Sequence, residues 1–191
     1  MRLMVAHTQS DSEVMARVAN GDAQAFASLV RMHLPRAYAL AYRTLLNSAE
    51  AEEVAQDAFT KIWVKAREYD GSRAAFATWL HRIVVNLCLD RIRQRRPHDG
   101  DDALAEIADK GPSAESLAST REEADIVRDA VGLLPAQQRA AVNLCYFEEY
   151  TNPEAAKIMG LNVKALEGLL VRARKTLREK LKDMKETRDA A

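Results

Sequence analysis

The sequence predicts an all-α fold of two small helical domains joined by a flexible acidic linker. Gly and Pro are sparse, with 7 and 5 residues in a chain of 191, so few positions interrupt a helix. Apolar residues recur at helical spacing, and no stretch sustains the apolar–polar alternation of a strand. The segment 97–119 differs, because it is rich in Asp, Glu, Gly and Ser. The predicted domains are therefore 1–96 and 120–191.

Caps and breakers define four helices in the first domain. Ser10 followed by Glu13 has the pattern of a capping box, which opens a short helix that ends near Asn20. Pro35 is expected to interrupt or kink the second helix. The later helices of this domain are predicted over the ranges 23–46, 47–68 and 74–96.

Four more helices are predicted in the second domain. Pro135 separates the first two, and Gly160 separates the last two. Their predicted ranges are 121–133, 136–147, 152–159 and 163–185.

The segment 151–166 has the pattern of a helix-turn-helix. Ala156 is a small residue where two helices would cross, and Leu166 is an apolar residue that would anchor the second helix. Gly160 falls in the tight turn, where a residue must tolerate positive φ. This spacing predicts DNA binding, and an ordinary helical hairpin is the alternative.

Capping residues agree with the proposed helix boundaries. Thr151 and Glu154 form a capping box, and Pro153 is tolerated in a first helical turn. Asn162 is a good N-cap for the second helix. Both helices of the motif therefore begin where the pattern requires.

The last helix has two faces when its residues are placed 100° apart. Its apolar stripe consists of Val163, Leu166, Leu170, Ala173, Leu177 and Leu181. Its opposite side carries Lys164, Gly168, Arg172 and Lys175. Cations on a slim face suit contacts with phosphates and guanine edges, although Arg172 and Lys175 would also suit a solvated surface.

Two further stretches carry polar faces. One side of the third helix presents Glu53, Gln56, Asp57 and Thr60. Such a face suits a basic protein partner better than DNA, although composition alone favours a solvated surface. The fourth helix places Arg82, Asn86 and Arg93 on one side, where they can touch nucleic acid. Trp79 would either stack on an unpaired base or belong to the core beside Phe76.

Composition limits the classes of function. The net charge is zero, with 28 basic and 28 acidic residues, whereas a DNA-binding protein that acts alone is usually basic. DNA binding must therefore rely on segregated charge or on a partner. No apolar run reaches the ~20 residues of a membrane span, and no signal peptide is evident, so we expect a cytoplasmic protein without membrane insertion.

Metal and catalytic chemistry are not indicated. Cys88 and Cys145 lie far apart in the sequence, and the four histidines form no metal-spaced cluster with them. Two buried, reduced thiols are expected, and the sequence leaves open whether either senses oxidants. No nucleophile–base arrangement is present. We therefore expect neither a cofactor nor a metal, and a protein that is not an enzyme.

Residues 13–96 and 125–182 together resemble a bacterial sigma factor of the extracytoplasmic-function (ECF) family, within the sigma-70 family. The segment 53–59 is similar to the family's region-two helix, and 76–86 with Asp90 and Arg91 is similar to its −10 recognition element. Residues 151–174 look like its region-four helix-turn-helix. Each motif alone is a moderately specific sign of the family, whereas their order and spacing together are strongly specific.

This resemblance implies a promoter-specificity subunit that binds core RNA polymerase at the β′ clamp and the β flap. The residues it implies for docking on core polymerase are Glu53, Gln56, Asp57 and Thr60. Those implied for the −10 element are Tyr69, Asp70, Gly71, Ser72, Arg73, Trp79, Arg82, Asn86 and Arg93. Those implied for the −35 element are Lys164, Gly168, Arg172 and Lys175. The family also implies an anti-sigma factor that covers these faces until a stress signal arrives.

One departure from the family pattern is visible in the −10 stretch. Leu80 follows Trp79, where housekeeping sigma factors carry a second tryptophan. The resemblance then implies weaker, more promoter-restricted melting. A conventional helix-turn-helix regulator acting as a dimer and a helical adaptor without a DNA role are the alternative functions.

The linker sets how far apart the two domains can lie. Two modules that read DNA about two helical turns apart are separated by roughly 70 Å. A linker of about 25 residues averages nearer 25–30 Å when flexible, although it reaches ~80 Å when extended. Polymerase would have to hold the domains apart. The free chain is expected to collapse, hide its DNA faces and bind promoters poorly.

Overall fold

The computed structural model describes residues 10–95 and 127–189, with side chains described as far as residue 182. All regular structure in these ranges is helical. The elements in chain order are α1 (Asp11–Ala19), α2 (Ala23–Leu45), α3 (Ser48–Val64), a 3₁₀ turn (Ala66–Glu68), α4 (Phe76–Arg95), α5 (127–132, the part described), α6 (Ala136–Val142), a π-helical segment (Asn143–Phe147), α7 (Asn152–Met159) and α8 (Val163–Asp189). The predicted linker 97–119 lies outside the described residues.

The first four helices form an N-terminal module, α1–α4. The Ser10 side chain accepts the Glu13 N–H at 3.3 Å while the Glu13 carboxylate accepts the Ser10 N–H at 3.2 Å, which confirms the predicted capping box. Helix α2 packs against α1, α3 and α4 and forms the centre of the module. Large side chains in the core of the module include Leu29, Leu40, Ile62, Phe76 and Leu80, each at most 1% exposed. Burial of each contributes about 1.5–3 kcal/mol of hydrophobic stabilisation.

Two helix boundaries of this module differ from the sequence prediction, and Pro35 does not interrupt α2. Helix α2 runs through Pro35 without ending, because Ala37 and Leu40 beyond it are fully buried and hold the next turns against the core. Helix α3 ends at Val64 and a 3₁₀ turn follows, in which Ala66 is buried and packs near α1. Helix α4 begins at Phe76, two residues later than the predicted residue 74. Tertiary packing overrides local pattern in these cases.

The C-terminal module, α5–α8, packs α6 and α7 on α8. Its largest fully buried side chains are Leu134, Leu144, Ile158 and Leu166. The predicted helix 136–147 is α-helical only to Val142 and continues as the wider π-helical segment. Helix α8 extends beyond the predicted residue 185.

The two modules contact each other directly. Helix α4 packs on α6 and α7, and α2 packs on α6. The collapse that we expected for the free chain is therefore present in the structure. None of the described helices combines the length and apolar character needed to cross a bilayer.

The two cysteines differ in their surroundings. Cys88 is fully buried in α4, and burial raises the pKa of its thiol to about 12. Cys145 is half-buried, contrary to the expectation of two buried thiols, because the π-helical segment emerges at the surface there, with Tyr146 and Phe147 exposed. Its Sγ lies 3.8 Å from Asn152 Oδ1. Burial also raises the pKa of the Cys145 thiol. Within the two described ranges, 10–95 and 127–182, no group of three or more His, Cys, Asp or Glu side chains could hold a metal ion.

Candidate functional site

The helix-turn-helix has the geometry that its sequence predicts. The Thr151 N–H and hydroxyl donate to Glu154 Oε2 at 2.9 and 2.7 Å, and these bonds lower the pKa of the Glu154 carboxyl. Gly160 ends α7 with φ of +67°, in the left-handed region. The Asn162 side chain accepts the Ala165 N–H at 2.8 Å and caps α8. The turn therefore fixes α8 relative to α7.

Helix α8 turns one face to the core and another to solvent. Leu166, Leu170 and Ala173 are buried, as predicted, but Val163 is 38% exposed because it lies in the first turn, beyond the packed part of the stripe. The candidate −35 residues lie on the outward side. Lys164, Arg172 and Lys175 are exposed, and Gly168 is half-buried.

The candidate docking residues share one outward face of α3. Glu53, Gln56, Asp57 and Thr60 are all exposed, while Ile62 on the opposite side is buried. The Thr60 hydroxyl donates to the Gln56 carbonyl oxygen at 3.0 Å, which keeps it close to the helix. The face therefore projects two carboxylates and an amide into solvent.

Arg91 of α4 reaches this acidic face, which the sequence did not predict. Its guanidinium lies 2.6 Å from Glu53 Oε2 and 3.9 Å from Asp57 Oδ2. Arg95, one turn later, pairs with Glu50. The resemblance grouped Arg91 with the −10 element, but its side chain points to α3. The spacing of two arginines four residues apart opposite acidic residues on α3 was the available signal.

The 69–73 loop is ordered by its own polar groups. Asp70 Oδ1 accepts the Ser72 N–H at 2.9 Å and the Ser72 hydroxyl at 2.7 Å, and these bonds lower the pKa of the Asp70 carboxyl. The Arg73 N–H donates to the Asp70 carbonyl oxygen at 3.1 Å. A side chain at Gly71 would come within 2.7 Å of Ser12 Oγ, so the loop lies directly against α1.

An aromatic cluster supports the same loop. The Tyr69 ring lies 5.2 Å from the Trp79 ring and 6.1 Å from the Phe76 ring, between centroids. The Tyr69 hydroxyl donates to the Ala74 carbonyl oxygen at 3.3 Å. Trp79 is half-buried beside Phe76, so part of its ring packs in the cluster and part faces solvent.

Candidate DNA-reading residues from both modules line one cleft. Asn86 and Arg93 of α4 face Arg172 of α8 across a space of about 600 Å³. This volume matches a small-molecule pocket rather than a duplex, whose major groove alone is about 12 Å wide. Arg93 also pairs with Asp90 on its own helix. Arg82, Lys164 and Lys175 are exposed and are not among the residues that line the cleft.

Both halves of the chain match models of sigma-70 regions. Residues 29–98 match Sigma-70 region 2, and residues 124–177 match Sigma-70, region 4. The ECF RNA polymerase sigma factor SigW of Bacillus subtilis is 32% identical over 88% of this chain and 95% of its own length. SigM of Mycobacterium tuberculosis is 35% identical over 90% of this chain and 84% of its own length.

Solved structures of sigma factors also resemble this chain. CnrH in complex with the cytosolic domain of CnrY has a TM-score of 0.64 and 30% identity, covering 91% of this chain and 97% of CnrH. The sigma factor RpoE of Bartonella quintana, in complex with the anti-sigma factor NepR, has a TM-score of 0.67 and 25% identity, covering 82% and 96%. A dimeric helix-turn-helix regulator is not favoured, because the N-terminal module also matches. By sequence, by fold and by the order of its two modules, this chain belongs to the ECF family of RNA polymerase sigma factors.

Proposed function

We propose that the chain docks on core polymerase through the outward face of α3 and reads the promoter through α4 and α8. The observation that supports this division is the segregation of charge. Glu53 and Asp57 project from α3, while Lys164, Arg172 and Lys175 project from α8, on a chain with no net charge. An acidic face repels DNA and attracts a basic protein surface, whereas the basic face does the reverse. The chain then supplies specificity without being an enzyme itself, and it works in the cytoplasm.

Gly168 supports the assignment of α8 to the −35 element. Glycine inside a helix costs about 1 kcal/mol relative to alanine. Among the residues that the structure describes, none requires a glycine here, because an added Cβ would meet only the flexible end of Arg172, at 3.5 Å. A missing side chain is useful where a helix must approach the floor of the major groove. Lys164, Arg172 and Lys175 would then contact phosphates and base edges around it.

The ordered 69–73 loop supports its assignment to the −10 element. A loop that captures an unpaired base should be shaped before the base arrives, since ordering it on binding would cost entropy. The Asp70–Ser72 bonds and the aromatic support of Tyr69 provide that order. Trp79 lies beside the loop, and its exposed part would stack on a base of the same strand. Arg82 and Asn86 are exposed further along α4 and would bond to that strand.

An anti-sigma factor is the regulatory partner we propose. RpoE was solved in complex with the anti-sigma factor NepR, and CnrH in complex with the cytosolic domain of CnrY. This chain exposes the outward face of α3 and the face of α8, so an inhibitor that covers both would block both polymerase and promoter. Release would follow a stress signal.

Run-off transcription with sigma-free core polymerase and fragmented host DNA tests the proposal. Discrete start sites that share two upstream motifs are expected, and they should be absent without the chain. Asp57→Arg should abolish core binding, while Glu52→Arg, an equal charge change elsewhere on α3, should retain it. Arg172→Glu should lose transcription but keep core binding, and Arg178→Glu is its matched control. Failure of the wild-type chain to bind core polymerase would contradict the proposal.

A further inference from the structure

Glu148 is a buried carboxylate at the contact between the two modules. Its side chain is 3% exposed, although it directly follows the exposed residues Tyr146 and Phe147. Arg36 of α2 donates to its Oε2 at 2.6 Å, and Arg43 of α2 pairs with its Oε1. The Arg43 guanidinium also lies 5.1 Å from the centre of the Phe147 ring. One glutamate of the C-terminal module is therefore held by two arginines of the N-terminal module.

His81 and Tyr150 close the same site from the other side. His81 of α4 is 1% exposed, and its Nε2 lies 4.0 Å from Glu148 Oε2. Its Nδ1 shares a hydrogen bond of 3.0 Å with the Tyr150 hydroxyl, across the module boundary. The carboxylate is thus surrounded by groups from α2, α4 and the segment before α7.

A second polar contact lies at the C-terminal end of α2. Arg139 Nε donates to the Thr44 carbonyl oxygen at 2.8 Å, and Asn143 Nδ2 donates to Thr44 Oγ1 at 3.3 Å. All three residues are at most 5% exposed. The interface therefore combines apolar packing with buried charges and hydrogen bonds.

An interface of this kind is suited to opening. Separating two apolar surfaces exposes them to water at a full hydrophobic cost, whereas separated charges recover their hydration. The gain from pairing Glu148 with two arginines is largely offset by the loss of water around the buried carboxylate and the partly buried Arg43, while Arg36 stays 58% exposed. Removing one partner while the other stays buried has no such compensation. Closure is then specific in geometry and modest in free energy.

The closed arrangement conflicts with promoter binding. Asn86, Arg93 and Arg172 face one another across the cleft of about 600 Å³, and Lys157 Nζ of α7 lies 3.5 Å from the Arg73 carbonyl oxygen of the 69–73 loop. Promoter elements two helical turns apart are separated by roughly 70 Å, so modules that contact each other cannot read both elements of one promoter until they separate.

We propose that Glu148, paired with Arg36 and Arg43, is a latch that holds the chain in a self-inhibited closed state, and that core polymerase binds the open state. This proposal rests on the function proposed above, because it requires polymerase as the ligand that selects the open form. The latch acts within a single chain, before any inhibitor binds.

Small-angle X-ray scattering of the full chain tests the closure directly. A compact chain of this length has a radius of gyration of about 16 Å, and separated modules give more than about 20 Å. Glu148→Arg places a third cation between Arg36 and Arg43 and should shift the value from the first range to the second. Glu149→Arg makes the same charge change on the exposed neighbouring residue and should leave it compact. Adding Arg43→Glu to Glu148→Arg restores an opposite-charge pair and should restore compaction.

Far-ultraviolet circular dichroism establishes that each variant keeps its helices. Should Glu148→Arg lose them, Glu148→Gln takes its place, because it keeps the shape and removes only the charge. A wild-type chain that is already extended, or a helical latch variant that stays as compact as the Glu149→Arg control, would overturn the proposal.

Titration of core polymerase with the same proteins tests the inhibition. A latch that keeps nine-tenths of the chain closed weakens apparent affinity about tenfold, so Glu148→Arg should bind core polymerase about ten times more tightly than wild type. Equal binding by both would show that closure does not inhibit, and would refute the latch alone. Absence of binding by both would refute the sigma function on which it rests.

Discussion

Two arginine–glutamate pairs in this molecule have the same length and different surroundings. Arg91 and Glu53 meet at 2.6 Å between α3 and α4, within the N-terminal module. Arg36 and Glu148 also meet at 2.6 Å, but between the two modules. The Glu53 side chain is 64% exposed and that of Glu148 is 3% exposed. Distance alone would rank the pairs as equal.

The difference in exposure decides what each pair does. An exposed pair is screened by water and contributes about 0–1 kcal/mol. The Glu148 carboxylate is buried although Arg36 is 58% exposed, so pairing adds little net stability, whereas a Glu148 carboxylate left buried without its arginine partners would cost about 3–5 kcal/mol. The pair between the modules therefore penalises any arrangement in which Glu148 is buried without its arginines. The pair within the N-terminal module adds little to the stability that the apolar core provides.

Replacing Arg139 with methionine should have the largest effect. The buried guanidinium donates to carbonyl oxygens of Thr44, Gly132 and Leu134, at the C-terminal ends of helices from both modules, and burial lowers its pKa to about 10. Methionine fills the space but leaves three acceptors without donors. The free energy of unfolding should fall by about 3 kcal/mol in urea titrations.

Arg139→Lys separates charge from geometry in the same measurement. A lysine ammonium keeps the cation but lacks the planar fork that spans several carbonyl groups, so it should recover only part of the loss. Wild-type stability in Arg139→Met would mean that water donates to these carbonyl groups instead. Loss of a buried polar partner at the interface would then cost less than the comparison of the two pairs predicts.

Acid should weaken the interface through His81. Burial, the largest cause, lowers its pKa to about 4 from 6.5, against an opposing effect of Glu148 and with smaller lowering effects of Arg36, His33 and Arg43. Between these values the unfolded chain binds a proton that the folded chain does not, so stability is present above pH 6.5 and is lost as pH falls toward 4. From pH 7 to pH 5 the loss should be about 2 kcal/mol.

Urea titrations at the two pH values, with His81→Gln as the matched control, measure this effect. The groups that face His81 are Glu148, Arg36, Arg43, His33 and Tyr150. Glutamine cannot take up a proton, so the variant should lose the pH dependence that His81 causes. An equal fall in the free energy of unfolding in both proteins would mean that groups other than His81 cause the pH dependence.

Local features of the fold could be predicted because they depend on few neighbouring residues. The Ser10–Glu13 capping box and the Gly160 turn each involve residues within one helical turn, and both are confirmed. The class of fold followed from spacing for the same reason. The end of α3 at Val64 could not be predicted, since it depends on packing of the next turn against α1. The domain boundaries at 96 and 120 stay predictions.

In the candidate site, too, the features that depend on one helix could be predicted, and those that depend on tertiary packing could not. Helical angle alone placed Asp57 on the outward face of α3 and Arg172 on that of α8, and both are exposed. Their roles in binding stay predictions. The Arg36–Glu148 pair joins residues 112 positions apart, and no local pattern marks either residue as its partner. The exposed surfaces could thus be derived from the sequence, whereas the latch required the packing of one module on the other.

Glu53→Gln should have the smallest effect, and it sharpens the comparison most directly. The substitution removes the charge that Arg91 meets at 2.6 Å, but residue 53 stays largely in water, so the free energy of unfolding should change by less than about 0.5 kcal/mol. Arg91 keeps a nearby acceptor in Asp57, 3.9 Å away. Urea titration beside Glu148→Gln measures the two equivalent changes under one condition. A loss above about 1.5 kcal/mol for Glu53→Gln would show that burial of the carboxylate is not what separates the two pairs.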